Sequence, residues 1–128
     1  MARLIKSANK VIAFYIALHI SIAICNEQII LNENNTVILD SKVNDESVSN
    51  IMYQLALRDN IGAEPIYLYI HSHGGEVTAG NNLIDFIHFY NKRNNLICVA
   101  NYAASMAFAI LQSCKTRYGT SKATLMQH

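Results

Sequence analysis

The chain has 128 residues, of which 52% are apolar and 15% are charged. This length suggests a single domain, and this composition excludes an intrinsically disordered chain. A net charge of +1, with no long run of Lys or Arg, argues against a protein that binds nucleic acid or another polyanion.

The first 25 residues differ in composition from the rest. They begin with Arg3, Lys6 and Lys10 and continue with an apolar run over residues 11–25. This run is shorter than the roughly 20 residues that span a bilayer. We interpret residues 1–25 as a signal peptide or uncleaved membrane anchor that precedes a domain at residues 26–128. An ordinary N-terminal helix and, third, an organelle transit peptide stay open as alternatives.

The location of the protein depends on that segment. A signal or anchor predicts a secretory or membrane-associated protein, with membrane contact through residues 11–25. A packed helix or a transit peptide predicts a cytoplasmic or organellar one.

The first predicted elements are a strand, a helix and a second strand. Residues 36–40 form a short run that contains β-branched side chains, which is typical of a strand. Asn44 suits an N-cap, and an apolar helical face follows it, formed by Val48, Ile51, Met52 and Leu55. Residues 66–70 are apolar on both faces, which indicates a central strand.

A Gly74-Gly75 turn then leads into a predicted helix over residues 77–91. Its apolar stripe is predicted to contain Val77, Gly80, Ile84, Ile87 and Asn91, with Leu83 and Tyr90 beside it. Three more elements are predicted after it: a strand over residues 96–100, a helix over 107–111 and a last strand over 123–126. They complete the order β-α-β-α-β-α-β. That order predicts an α/β domain with mostly parallel strands.

Ser105 lies where the predicted third strand turns into a helix. A serine there has free backbone N–H groups beside it, and the helix dipole favours developing negative charge. An N-cap serine is the simpler interpretation of this stretch alone. Acyl transfer is the alternative, with Ser105 as nucleophile, the N–H groups of Gly75 and Met106 as oxyanion donors and His128 as base. The spacing alone does not decide between them.

Other chemistry has less support in the sequence. The Gly74-Gly75 turn has neither nucleotide-binding spacing nor a P-loop pattern. His71 and His73 lack a third nearby metal ligand, so we expect no metal and no cofactor. The three cysteines show no metal spacing, and their odd number argues against a disulfide framework. Cys98 is expected to be a small buried side chain.

Three motifs resemble the proteolytic subunit of the Clp serine protease. They are residues 65–80, which contain His-Ser-His-Gly-Gly-Glu-Val-Thr, then Ala-Ala-Ser-Met at 103–106 and Leu-Met-Gln-His at 125–128. The likeness covers about residues 36–128. It implies a ClpP/crotonase-like spiral of ββα units, and an ATP-dependent serine endopeptidase that cleaves unfolded polypeptides with a Ser-His-Asp triad. The resemblance also implies Ser105 as nucleophile, His128 as general base, Gly75 and Met106 as the oxyanion hole, a homo-oligomeric ring and an AAA+ unfoldase partner.

Four departures from the family pattern shape the expectations. His71 and His73 stand where the family usually has Asn and Pro, and Ala107 replaces a glycine. Asn101 and Tyr102 stand where a glycine is usual, in a segment that is one residue longer. The chain also ends at His128, before the family's acid. We therefore expect a domain incomplete at its C-terminus, from a fragment or degenerate copy, and a very poor peptidase in the 128-residue chain alone.

Two other functions remain as alternatives. One is a catalytically inactive subunit that packs into a Clp-like ring. The other is a crotonase-like acyl-CoA enzyme on the same fold, which the Ala-Ala-Ser-Met motif disfavours.

Overall fold

The computed structural model describes residues 28–128, of which Leu31–His128 form a compact unit. The predicted signal peptide or anchor at residues 1–25 lies outside the described residues. In the range that is described, no helix is both long enough and apolar enough to cross a membrane.

Strands and helices alternate along the whole described unit. They are β1 (Thr36–Leu39), α1 (Asp45–Asn60), β2 (Ile66–Ser72), α2 (Val77–Tyr90), β3 (Leu96–Ala104), α3 (Met106–Ser113) and β4 (Thr116–Met126). The sheet has the order β1-β2-β3-β4, and every pairing in it is parallel. The predicted α/β class is therefore confirmed. Because parallel strands place their carboxyl ends at one edge, the segments that follow β2, β3 and β4 meet there, where open α/β sheets bind ligands.

Helix α1 begins as its sequence predicts. The Asn44 side chain accepts a hydrogen bond from the Ser47 N–H at 2.8 Å, and Ser47 Oγ accepts one from the Asn44 N–H at 3.0 Å. This reciprocal pair is a capping box, which satisfies two backbone donors at the helix start. The predicted apolar face then packs into the core, with Val48, Ile51 and Leu55 buried and Met52 at its edge.

The core lies between one face of the sheet and the helices. One apolar cluster joins β1, β2 and β3 to all three helices, and its fully buried side chains include Leu68, Leu83 and Ile110. In β1, Val37 and Leu39 face this cluster, whereas Ile38 on the opposite face of the sheet is 54% exposed. This alternation is the pattern of a strand with one buried face.

The buried stripe of α2 differs from the predicted one. The structure buries Ala79, Gly80, Leu83, Ile87 and Tyr90. Val77 is 66% exposed, and Asn91 is the C-cap residue rather than part of the helix. The predicted stripe began and ended at residues that leave the core, because Val77 is the first residue of α2 and Asn91 lies just beyond its last.

Strand β4 begins earlier than predicted, at Thr116 rather than Ala123. Residues 115–122 are polar, which favoured a loop in the sequence. Residues 116–119 nevertheless pair with β3 through their backbones, for example Cys98 with Arg117 and Val99 with Tyr118. Because β4 is an edge strand with mostly exposed side chains, its pairing does not require an apolar pattern.

The cysteines also correct an expectation. Cys98 is fully buried, as expected, but the structure joins it to Cys114 in a disulfide with a Cα–Cα distance of 6.1 Å. The odd number of cysteines had given poor support for a disulfide framework. Cys98 lies in β3 and Cys114 is the C-cap residue of α3, so the two positions meet only because α3 folds back along its own strand.

Candidate active site

Ser105 lies at the junction between β3 and α3, with φ 52° and ψ −123°. Within residues 28–128 it is the sole non-glycine residue with positive φ. Its carbonyl accepts the N–H groups of Phe108 and Ala109 at 3.0 and 3.2 Å, but its hydroxyl does not cap the helix. The simpler N-cap interpretation therefore does not account for the side chain. Such backbone strain occurs preferentially at functional sites.

The turn after β2 lies directly against this junction. A Cβ on Gly74 would lie 2.6 Å from the Ala104 carbonyl oxygen, 2.8 Å from the Met106 nitrogen and 2.9 Å from Ser105 Cβ. With φ +92°, Gly74 also has a backbone conformation that other residues rarely adopt. The sequence predicted the Ser105 side chain near Gly75, whereas the residue whose Cβ position lies against Ser105 is Gly74.

Gly75 faces the loop before α1. Gly75 and Val43 form a parallel bridge, in which the Val43 N–H donates to the Gly74 carbonyl at 2.9 Å and the Glu76 N–H donates to the Val43 carbonyl at 2.8 Å. In this pattern the flanking residues make the bonds, so the N–H of Gly75 itself points away from Val43. That amide is left available to an acceptor on the other side.

A buried serine that sequence reasoning missed fixes the same turn. Ser72 Oγ donates to the Ser41 carbonyl at 2.6 Å and accepts from the Gly74 N–H at 3.1 Å. Ser72 is buried, and buried polar groups are normally satisfied in this way. Its position between two histidines at the end of an apolar strand was the only signal in the sequence.

Met106 contributes the first N–H of α3, which has no carbonyl partner within the helix. The Met106 side chain lies where a Cβ of Gly80 would be, so the start of α3 packs closely on α2. This contact holds the Met106 side chain against α2 beside the Ser105 junction.

Strand β4 brings His128 to the site. The Ser105 N–H donates to the Met126 carbonyl at 3.0 Å, two residues before His128. Ser105 and His128 line one cavity of about 450 Å³. Its other lining residues are Val77, Met106, Phe108, Ala109, Gln112 and Gln127. In the described range no hydrogen bond joins Ser105 Oγ to the His128 ring, and such bonds are often long before substrate binds.

The two histidines that depart from the family pattern gather around Tyr102. The Tyr102 ring lies 4.5 Å from that of His73 and 5.9 Å from that of His71, between centroids. Among residues 28–128 no group of three or more His, Cys, Asp or Glu side chains is placed to hold a metal ion. The three rings contact one another at the end of β2, beside the Ser105 junction.

Solved structures with this arrangement of elements exist. ClpP1 from Listeria monocytogenes matches with a TM-score of 0.58 and 26% identity, over 71% of this chain and 60% of that one. A mutant of the same protein matches with a TM-score of 0.68 and 27% identity, over 75% of this chain and 57% of that one. The fold is therefore a ClpP-like fold.

Sequence comparison leads to the same group of proteins. The chain is 35% identical over 86 residues to the ATP-dependent Clp protease proteolytic subunit 3 of Synechococcus sp. (strain CC9605) and of Parasynechococcus marenigrum (strain WH8102). This match covers 66% of the chain but 43% of each relative, so the chain spans less than half the length of these curated relatives. The family model for Clp protease matches residues 22–128. The chain belongs to the Clp protease family.

Proposed function

We propose that this chain is a subunit of a Clp-type serine endopeptidase in which Ser105 is the nucleophile and His128 is the general base. The observation that carries the proposal is the shared cavity: Ser105, strained and with its hydroxyl not used as a cap, lines the same space as His128. A nucleophile and a base in one pocket beside free backbone N–H groups are the parts that acyl transfer needs.

The reaction follows from these positions. Ser105 Oγ attacks the carbonyl carbon of a peptide bond while His128 takes the hydroxyl proton. The carbonyl oxygen becomes an oxyanion that accepts hydrogen bonds from the N–H groups of Gly75 and Met106. Collapse of this intermediate breaks the C–N bond, and His128 returns the proton to the leaving amine. Water then hydrolyses the acyl-enzyme by the same route.

The oxyanion donors give the turn and the helix start a role in the reaction. Both N–H groups belong to backbone that packing holds in place: Gly75 through its bridge to Val43, and Met106 through its contact with Gly80. Donors fixed in advance stabilise the developing charge without reorganisation, and the loss of one typically costs about 10²–10³ in turnover.

The partners follow from family membership. The relatives are named as proteolytic subunits of an ATP-dependent protease. We propose by analogy that this chain packs into a homo-oligomeric ring, cleaves unfolded polypeptides and receives them from an AAA+ unfoldase. Exposed apolar side chains such as Ile38 on β1 and Leu125 on β4 offer surface for such contacts.

The test is covalent labelling with a fluorophosphonate probe, which reacts with an activated serine. We expect slow but detectable labelling of the purified chain, as suits the very poor peptidase expected of these 128 residues alone. Ser105→Ala should not label, and His128→Ala should label about 10²–10⁴-fold more slowly than the wild type. Ser113→Ala is the matched control, because Ser113 lies at the other end of α3 and its hydroxyl donates to the Ile110 carbonyl at 2.7 Å. This variant should label as fast as the wild type.

Absence of labelling in the folded wild-type chain would refute the catalytic proposal. The inactive ring subunit would then be the better description. Labelling that persists in Ser105→Ala would show that another residue is the nucleophile.

A further inference from the structure

Strand β3 contains an extra residue beside the site. Ile70 of β2 pairs with Ala100, and His71 pairs with Tyr102, so Asn101 is bulged out of the pairing with β2. The pairing with β4 breaks at the same place, because Ala100 pairs with Gly119 and Tyr102 pairs with Thr124. Residues 120–123 of β4 therefore have no partner in register across from Asn101. This bulge is the structural form of the longer segment noted in the sequence.

The Asn101 side chain bridges the gap on both sides. Its Nδ2 lies 3.0 Å from His71 Nδ1 on β2, and its Oδ1 accepts a hydrogen bond from Thr120 Oγ1 at 2.8 Å. With Nδ2 as donor, His71 accepts through Nδ1 and carries its proton on Nε2. One amide thus joins β2 to β4 at the residue where β3 pairs with neither strand.

The bulge determines where the end of β4 lies. After it, Thr124, Leu125 and Met126 are in register with Tyr102, Ala103 and Ala104. Met126 is held there twice, because its carbonyl accepts from the Ser105 N–H at 3.0 Å and its sulfur accepts from Tyr102 Oη at 3.4 Å. His128 follows two residues later. A slip of one residue in this pairing would turn each side chain to the other face of the sheet.

From these contacts we infer that Asn101 is a positioning residue for the base. Through Thr120 it closes the β4 bulge, sets the register of Thr124–Met126 and thereby places His128 beside Ser105. Asn101 does not touch the reacting atoms. The inference rests on the proposed function for the role of His128, whereas the effect on strand register does not depend on catalysis.

The test removes the hydroxyl of Thr120 while keeping the shape of the side chain. Thr120→Val deletes the bond to Asn101, Thr120→Ser keeps it, and Asn101→Ala deletes both bonds. Thr116→Val is the matched control, since Thr116 lies on the same strand before the bulge and pairs with Ile97. The rate of fluorophosphonate labelling and the backbone amide exchange of Leu125 and Met126 are measured for each variant.

We expect Thr120→Val and Asn101→Ala to label Ser105 about tenfold or more slowly, because small displacements of a catalytic group have large effects on rate. Thr120→Ser should restore the rate, and Thr116→Val should leave it unchanged. Amide exchange at Leu125 and Met126 should become faster in Thr120→Val and Asn101→Ala, relative to amide exchange in β2.

Two results would overturn the inference. One is equal labelling in Thr120→Val and the wild type. The other is unchanged exchange at Leu125 and Met126 in both Thr120→Val and Asn101→Ala. If the wild type is not labelled at all, the proposed function fails, and the exchange measurement still decides whether Asn101 sets the register.

Discussion

At the scale of single residues, the site depends on positions where a side chain would not fit. Gly74 and Ser105 are in close contact, and both have positive φ. Positive φ costs a non-glycine residue about 1–3 kcal/mol. Gly74 avoids this cost because it has no Cβ, whereas Ser105 bears it. The strain at Ser105 is therefore maintained by its surroundings, above all by its bond to Met126 and its contact with Gly74.

A methyl group at Gly74 should therefore disrupt the site. We expect Gly74→Ala to lower the free energy of unfolding by about 3 kcal/mol or more, from its backbone conformation and from the clash with Ala104 and Met106. Gly62→Ala is the control, because Gly62 has φ +70° but a Cβ there meets nothing within 4 Å. It should cost about 1 kcal/mol. Denaturant unfolding gives both values, and equal losses would contradict the close contact at Gly74.

The sequence predicted some of these residues and not others, for a physical reason. The position of Ser105 at a strand-to-helix junction was predictable because small residues separate a β-branched run from a helix-forming run, which is a local signal. Asn101 was noticed only as an extra residue. Its function in the sheet depends on His71 and Thr120, which come together only when three strands pair.

At the scale of elements, β3 and α3 are joined as one unit. The disulfide between Cys98 and Cys114 encloses the segment that carries Ser105, with a sequence separation of 16. Both cysteines are buried, at 0% and 1% exposure, so the bond is shielded from solvent. Closing a loop of this size stabilises a protein by about 3 kcal/mol in the chain-entropy model.

Reduction should therefore weaken the fold. In a Cys25→Ser background, which leaves only this pair, we expect reductant to lower the free energy of unfolding by about 3 kcal/mol. The bond itself is detected by mass spectrometry, because trypsin releases residues 94–115 as one peptide containing both cysteines. The oxidised peptide should be lighter by two hydrogen atoms. Two titratable thiols in the unfolded, unreduced protein would show that the bond is absent.

The predicted elements were more accurate in the interior of the sheet than at its edge. The apolar composition of β2 identified it as a central strand, and hydrogen bonds to β1 and β3 place it there. The start of β4 was missed because an edge strand needs backbone pairing but no apolar side chains, and residues 115–122 supply little apolar pattern. Side-chain periodicity reports burial, so it is weakest where burial is least.

At the scale of the whole molecule, Tyr90 joins two helices. It is 5% exposed, and its hydroxyl donates to the Leu55 carbonyl of α1 at 3.4 Å. Burial, and then the negative charges of Asp59 and Glu64, raise the pKa of Tyr90 to about 12. In the unfolded chain this side chain has the pKa of about 10 that a tyrosine has in water.

This difference in pKa makes the stability of the molecule depend on alkaline pH. Below pH 10 the phenol is protonated in both states, so its contribution to stability is fully present. Between pH 10 and 12 the unfolded chain releases this proton while the folded chain keeps it, and the free energy of unfolding falls as pH rises, by up to about 1.4 kcal/mol per pH unit. We expect Tyr90→Phe to show a smaller fall over that window. Tyr53→Phe, at a position that is 62% exposed, should retain the wild-type slope. Denaturant unfolding at a series of pH values measures all three slopes, and a wild-type slope in Tyr90→Phe would show that this tyrosine does not carry the dependence.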